Sequence, residues 1–337
     1  MEKFSIFGFN TNPQPLLKKI LIIADISQFE KEISSKNRLQ FLLFLNNKPN
    51  ITVTGPGMDN FKPNLTQEEL INHIYKDDPE NKPNIVIFYI LTILFKKFRT
   101  FPITSFCSNY INIAFVEDIY HSTKYNLIIK NQFNGILLNI KHNIYGTLFK
   151  SVNKNIYYYN HYINTNIYKN YNLPKIYDII IYGNIMNRFY PFRFRLYHLL
   201  KQNQHKFNIK FVEFPSMNNP NINPVINIEL AQLINQSYIC ICTTSKFNML
   251  LKKYIETACC DSMICGNIPT DYNHIFTNNI IEIKPTFTNT QIIQILTNEL
   301  KNKSSLKNKS VEFGNTVRGL YNFEKGYSDL MDINFVQ

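Results

Sequence analysis

Three apolar runs crowd the stretch from Tyr177 to Pro269, and each ends in small or turn-forming residues. The first, YDIIIYGN, stops at Gly183 and Asn184. The second, ICICTTSKFN, stops at Thr243, Thr244 and Ser245. The third, KYIETACCDSMICGNIP, reads as a helix carrying one carboxylate, Glu256, then a short strand and a Gly-Asn-Ile-Pro loop. Short unbroken apolar runs bounded by turn signals fit strands covered on both faces, as in a parallel sheet. Strand ends that feed helix N-termini are where α/β proteins hold phosphorylated ligands.

The rest of the chain repeats the alternation. KKILIIADI (18–26), ITVTGPG (51–57), NIVIFYIL (84–91) and INIAFVEDIYH (111–121) read as strands, with shorter apolar stretches at 126–129 and 135–140. Residues 29–45 have helical spacing. Residues 65–76 form an amphipathic helix with Thr66 as cap and Glu69 three positions on, the signature of a capping box. After a polar, tyrosine-rich stretch at 160–176, read as the domain linker, a second series begins. Its strands are DIIIYG, IKFVEF, YICICTT, SMICG and IIEI; its helices are RFRLYHLLKQ, IELAQLINQ and MLLKKYIETA. A Lys/Ser/Asn-rich tail at 301–310 precedes a terminal helix drawn from residues 317–333. Alternation of this kind implies parallel sheets with helices on both faces, and 337 residues suit two domains.

The formal charge of +12 suits an anionic partner: nucleic acid, a membrane surface or a nucleotide diphosphate. The Asn, Ile, Lys and Tyr bias is that of AT-rich coding, as in a large DNA virus or an AT-rich microbe, and by itself accounts for much of the lysine. None of the six cysteines forms a C-x-x-C pair, so the expectation is buried small hydrophobes in a reducing compartment rather than a zinc site. The start MEKFSIFGFNTNP lacks the charge and apolar length of a signal peptide. The longest apolar run, residues 85–95, is far short of the ~20 residues that cross a bilayer. A cytoplasmic protein is expected, with the basic, aromatic exit KKFRTF (96–101) as a possible peripheral membrane contact.

Several residues could carry chemistry. Gly183 lets the backbone come close to a ligand and Asn184 can hydrogen-bond to it. Arg188 and Arg193 follow around a proline, and guanidinium forks suit phosphates. Arg195, in the helix body, reads as solvated. Thr243, Thr244 and Ser245 precede a helix, the place for capping and for anion binding by free N–H groups, and Lys246 adds charge. Lys253 and Glu256 share a helix face, where a simple ion pair would also explain them. In the first half, Asp118 and His121 end a strand, with Glu117 as a rival carboxylate; His121 could act as a base or a transition-state contact. The TGPG turn lies at the same edge. No Asp-x-Asp occurs, and Asp77-Asp78 reads as a solvated turn.

This order of pieces resembles the GT-B glycosyltransferases of the group 1 (family 4-like) type, most clearly from Asp178 to Pro269. The resemblance implies an α/β chain of two Rossmann-like domains with parallel sheets facing a central cleft. It implies residues 1–165 as acceptor-binding domain, 166–316 as nucleotide-sugar-binding domain, and 317–337 as a helix returning to the first. In that family an E-x7-E motif contacts sugar and ribose. Glu256 matches its second position, and Asn248 stands where the first glutamate would be. Pro215, in the loop 214–220, falls where the family reads the base. The implied activity is metal-independent transfer of a sugar from a UDP- or GDP-linked donor to a glycan, protein or lipid-linked acceptor, with Asp118 and His121 at the reacting centre, no cofactor and no nucleic acid. Two alternatives stay open: a basic nucleic-acid-binding protein, and a GT-B protein that binds without catalysis.

Overall fold

The computed structural model describes residues 17–31, 36–89, 105–116, 133–139, 154–213 and 224–336. Two parallel sheets organise them. The first is built from β1 (Ile20–Ile23), β2 (Ile51–Thr54), β3 (Ile85–Tyr89), β4 (Ile111–Val116), β5 (Gly135–Leu138) and β6 (Asn155–Tyr158), in the order β2-β1-β3-β4-β5-β6. The second is built from β7 (Tyr177–Tyr182), β8 (Ile209–Val212), β9 (Ser237–Ile241), β10 (Met263–Gly266) and β11 (Ile281–Glu282), in the order β11-β10-β9-β7-β8. Both sheets put the first strand of their series between the second and the third. The strand order therefore reverses beside β1 and again beside β7, and each reversal opens a crevice at the carboxyl ends of the strands.

The helices follow from the apolar stripes between the strands. In the first half these are α1 (Ile26–Lys31), α2 (Lys36–Asn46) and α3 (Gln67–Ile74). Thr66 and Glu69 close the expected capping box on α3. In the second half α4 (Pro191–Gln202), α5 (Asn227–Asn235), α6 (Lys252–Cys259), the short α7 (Asn273–Phe276) and α8 (Asn289–Leu300) surround the sheet. Four apolar clusters result, one on each face of each sheet. Cys240, Cys242, Cys259, Cys260 and Cys265 are buried and unbridged within the second half.

The end of the chain departs from the sequence reading. Residues 301–310 are not a tail: they open α9 (Lys303–Tyr321), which puts Leu306, Ser310, Phe313, Gly314 and Val317 inward. Gly314 is required there, because a Cβ would stand 2.6 Å from the Ala258 carbonyl oxygen of α6. The chain breaks at Asn322, whose side chain accepts from Lys325 N and caps α10 (Phe323–Asp332). Phe323 and Leu330 of α10 join the core of the first sheet with α2. The polar stretch at 160–176 is likewise packed rather than loose, with Tyr162, Ile163 and Tyr168 buried. No helix among the described residues is long and apolar enough to cross a membrane.

Candidate functional site

The crevice beside β7 is the most heavily built part of the molecule. β7 ends at Tyr182, and the chain turns at Gly183 with φ +87°, a conformation that excludes most side chains. A Cβ at Gly183 would meet the Arg193 guanidinium at 3.4 Å and the Lys253 ammonium at 3.6 Å. Both cationic residues are buried. Arg193, in the first turn of α4, donates to the Asn184 carbonyl at 2.9 Å and to the Thr243 carbonyl at 3.1 Å, and Nε reaches the Thr243 hydroxyl at 3.3 Å. Its guanidinium also lies over the Tyr190 ring. Lys253, in the first turn of α6, donates to the Tyr182 carbonyl and to the Ile241 carbonyl at 3.3 Å. It thus bridges β7 and β9 across the point where the strand order reverses. The ion pairs among the described residues involve neither cation.

Glu256 stands one turn further along α6. Its carboxylate accepts from the Tyr182 hydroxyl at 3.0 Å and from the Tyr168 hydroxyl. Its tip keeps some exposure although protein surrounds the group, and this burial pushes the carboxyl above its ordinary value against the pull of Tyr182 and the two adjacent lysines. Lys253 and Glu256 do not pair with one another, so the simple ion-pair reading of their spacing does not hold. Burial, and then the neighbouring Arg193 charge, hold the Lys253 ammonium down to about 7. Burial lowers Arg193 as well, but a guanidinium starts so high that it stays charged.

These groups line one cavity of about 280 Å³. Gly183, Arg193, Lys253 and Glu256 line it together with the apolar Val212, Val225, Ile226 and Leu230, and Lys36 and Asn37 at the start of α2 line it from the first half. A buried guanidinium, a buried lysine amine, a hydrogen-bonded carboxylate and an apolar slot together fit an anion with a polar and a flat apolar part.

The remaining predicted residues divide differently. Ser245, Lys246 and Asn248 line a separate, more open recess with Thr244 and Asn267. The sequence reading started the helix at Met249 with Thr243, Thr244 and Ser245 ahead of it as candidate caps, but α6 begins only at Lys252, with Leu251 at its N-cap, so those three do not cap it. Thr243 holds Arg193, Thr244 bonds Asn267, and the Ser245 hydroxyl accepts from Phe247 N at 3.3 Å. Asn248 has φ +56° and spends its amide on the Thr270 hydroxyl. Lys246 is exposed over Phe189 and Phe247. Arg188 is exposed beside Phe189, while Asn184 closes a turn onto Met186 N at 2.7 Å. Arg195 is not simply solvated: it clamps the Pro285 and Phe287 carbonyls and the Asn289 side chain. His121, Asp118 and Glu117, Pro215 and the KKFRTF segment lie outside the described residues. Sequence reasoning missed Tyr168 and Tyr182, the two phenols that orient Glu256. Tyr182 was detectable as the last residue of a strand, directly before the glycine turn.

Two parallel, Rossmann-like sheets with a cavity walled from both halves define the GT-B fold. No protein-family model and no curated protein matches the chain. Among solved structures it is similar to sucrose-phosphate synthase from Thermosynechococcus elongatus, with a TM-score of 0.57 and 10% identity over 93% of this chain and 97% of that one. It is also similar to HepE of Anabaena solved with UDP and glucose, with a TM-score of 0.55 and 10% identity over 93% of this chain and 98% of that one. HepE with UDP alone gives a TM-score of 0.52 and 9% identity over the same shares, 93% and 98%.

Proposed function

We propose that this chain is a glycosyltransferase that moves a sugar from a nucleotide-diphosphate sugar, UDP-linked in the first instance, to an acceptor hydroxyl. One observation carries the reading: Arg193 and Lys253, both buried, converge on the Gly183 turn while Glu256 stands in the same cavity. Arg193 and Lys253 receive the diphosphate and neutralise its charge as it leaves, in the place of a metal ion. Glu256, held by Tyr168 and Tyr182, accepts from the ribose hydroxyls. The wall of Val212, Val225 and Ile226 receives the base. The first half, residues 1–165, supplies the acceptor side, with Asp118 and His121 as candidates at the reacting carbon; residues 166–316 hold the donor, and residues 317–337 return to the first half. Neighbours of the same fold solved with UDP and with glucose support this assignment.

A second reading, donor binding without turnover, draws on Asn248, whose amide is tied to Thr270 rather than directed at the cavity of Glu256. Hydrolysis of a bound donor separates the two. The test of the common premise is a thermal-shift screen with UDP, GDP and dTDP, since a ligand that binds only the folded state raises the melting temperature. Glu256→Gln is expected to weaken UDP about 10- to 100-fold, the loss of one charge-assisted contact of roughly 1.5–3 kcal/mol. Unchanged affinity removes the ribose role, and no shift with any nucleotide removes the function.

A further inference from the structure

Lys253 is held in a way that suits a neutral amine. Among the described residues its nitrogen donates to two carbonyls, those of Tyr182 and Ile241. A neutral amine carries two N–H donors and is satisfied by those two carbonyls, whereas an ammonium carries a third. The nitrogen also lies 3.6 Å from the position of an absent Cβ at the Gly183 turn and 4.0 Å from the centroid of the Tyr182 ring. The side chain is buried. Arg193 opposes a charge from α4, while Cys240 of β9, Cys242 just after that strand, Glu256 of α6 and the ring of Tyr182 favour one. Arg193 is permanently charged, so the empty cavity already holds one buried cation, and a second is disfavoured until an anion arrives.

We propose that the anion seated at the Gly183 turn is bound together with one proton, which Lys253 takes up from solvent. The inference rests on the nucleotide-binding reading above and adds a property to it. The neutral amine becomes an ammonium, its third N–H points to the phosphate oxygens, and the solvent buffer is left one proton poorer. Affinity for the diphosphate therefore falls as pH rises between 7.5 and 8.5, above the titration of the terminal phosphate and below that of the uracil N3–H. A diphosphate bound only by a permanent cation would show no such dependence.

The experiment is calorimetric titration with UDP at pH 8 in HEPES, tricine and Tris, whose ionisation enthalpies differ. The terminal phosphate of UDP, titrating at about 6, is fully ionised there and contributes nothing. With its ammonium held to about 7 in the empty site, roughly nine-tenths of the Lys253 side chains are neutral at pH 8. The observed enthalpy is expected to vary with buffer by about 0.9 proton taken up per UDP, and Kd to rise about eightfold from pH 7.5 to pH 8.5. Lys253→Met is expected to bind more weakly and to take up no proton. Lys253→Gln, whose amide supplies two donors for the two carbonyls, serves should the methionine variant not fold. UDP bound without proton uptake overturns the inference and leaves the nucleotide reading standing. Uptake that survives in both lysine variants but vanishes in Glu256→Gln reassigns the proton to the carboxyl. No binding of UDP at any pH overturns both.

Discussion

Replacing Lys253 by methionine in the ligand-free protein should change how folding stability depends on pH. The sign follows from proton counts. The ammonium titrates near 10.5 in an unfolded chain and is held to about 7 in the fold. Between those values the unfolded chain binds more protons than the folded one, so raising the pH favours the fold. Each unit is worth about 1.4 kcal/mol at full difference, which gives roughly 2 kcal/mol gained from pH 7 to pH 9. Lys175, half-buried and held to about 8, acts in the same direction. The test is therefore the difference between wild type and variant. The absolute stability of Lys253→Met mixes two opposed effects, relief of a buried amine and loss of a donor at the Tyr182 and Ile241 carbonyls. The slope carries the argument. Urea unfolding followed by far-UV circular dichroism at pH 7 and pH 9 measures it. Equal increments in the two proteins, within about half a kcal/mol, would refute the burial of a titrating amine at this position.

Three glycine substitutions probe the frame around the site. Gly183→Ala forces a side chain into φ +87° against Arg193 and Lys253; a loss of about 1–2 kcal/mol in denaturant unfolding and weaker UDP binding are expected. Gly314→Val sets a branched side chain where a Cβ already stands 2.6 Å from the Ala258 carbonyl oxygen, and should cost at least about 2 kcal/mol, read as a lowered melting temperature. Gly319→Ala, in the same helix with nothing within 4 Å, should instead stabilise by about 0.5–1 kcal/mol.

Strands such as β3 were legible because they are buried on both faces and read as unbroken apolar runs, whereas β6, exposed at both of its ends, was not read as a strand. The tail assigned to residues 301–310 shows the opposite case. Its composition is that of a solvated segment, but α9 needs only a narrow stripe, Leu306, Ser310, Phe313, Gly314 and Val317, to lie against α6 and β10. One of those contacts is a glycine and another a serine whose hydroxyl bonds the Asp261 carbonyl at 3.0 Å, and neither registers as hydrophobic in a sequence. The tyrosines at 160–176 misled for a related reason. Tyr162 and Tyr168 bury their rings while their hydroxyls find Asp329 and Glu256, so a segment that looks polar is fixed in place.

The site divides along the same physical line. Gly183, Arg193, Lys253 and Glu256 were recognisable because a strand end, a helix start and a helix face each impose a local pattern. Asn248 was not, because its placement depends on a tertiary contact. The sequence reading began the helix at Met249, but α6 starts only at Lys252, so Asn248 stands four positions before it rather than one. The three residues between are governed by packing: Met249 joins the buried cluster of the first sheet, while Leu250 joins that of the second. A methionine fills an irregular gap of that kind because its side chain is unbranched and adaptable. Seating Met249 in one half while Leu250 seats in the other draws the loop across the boundary, and Asn248 turns into the left-handed region and onto Thr270 instead of toward Glu256. The spacing of a motif carries its geometry only while one element spans it, and here the chain leaves the helix to tie the two halves together.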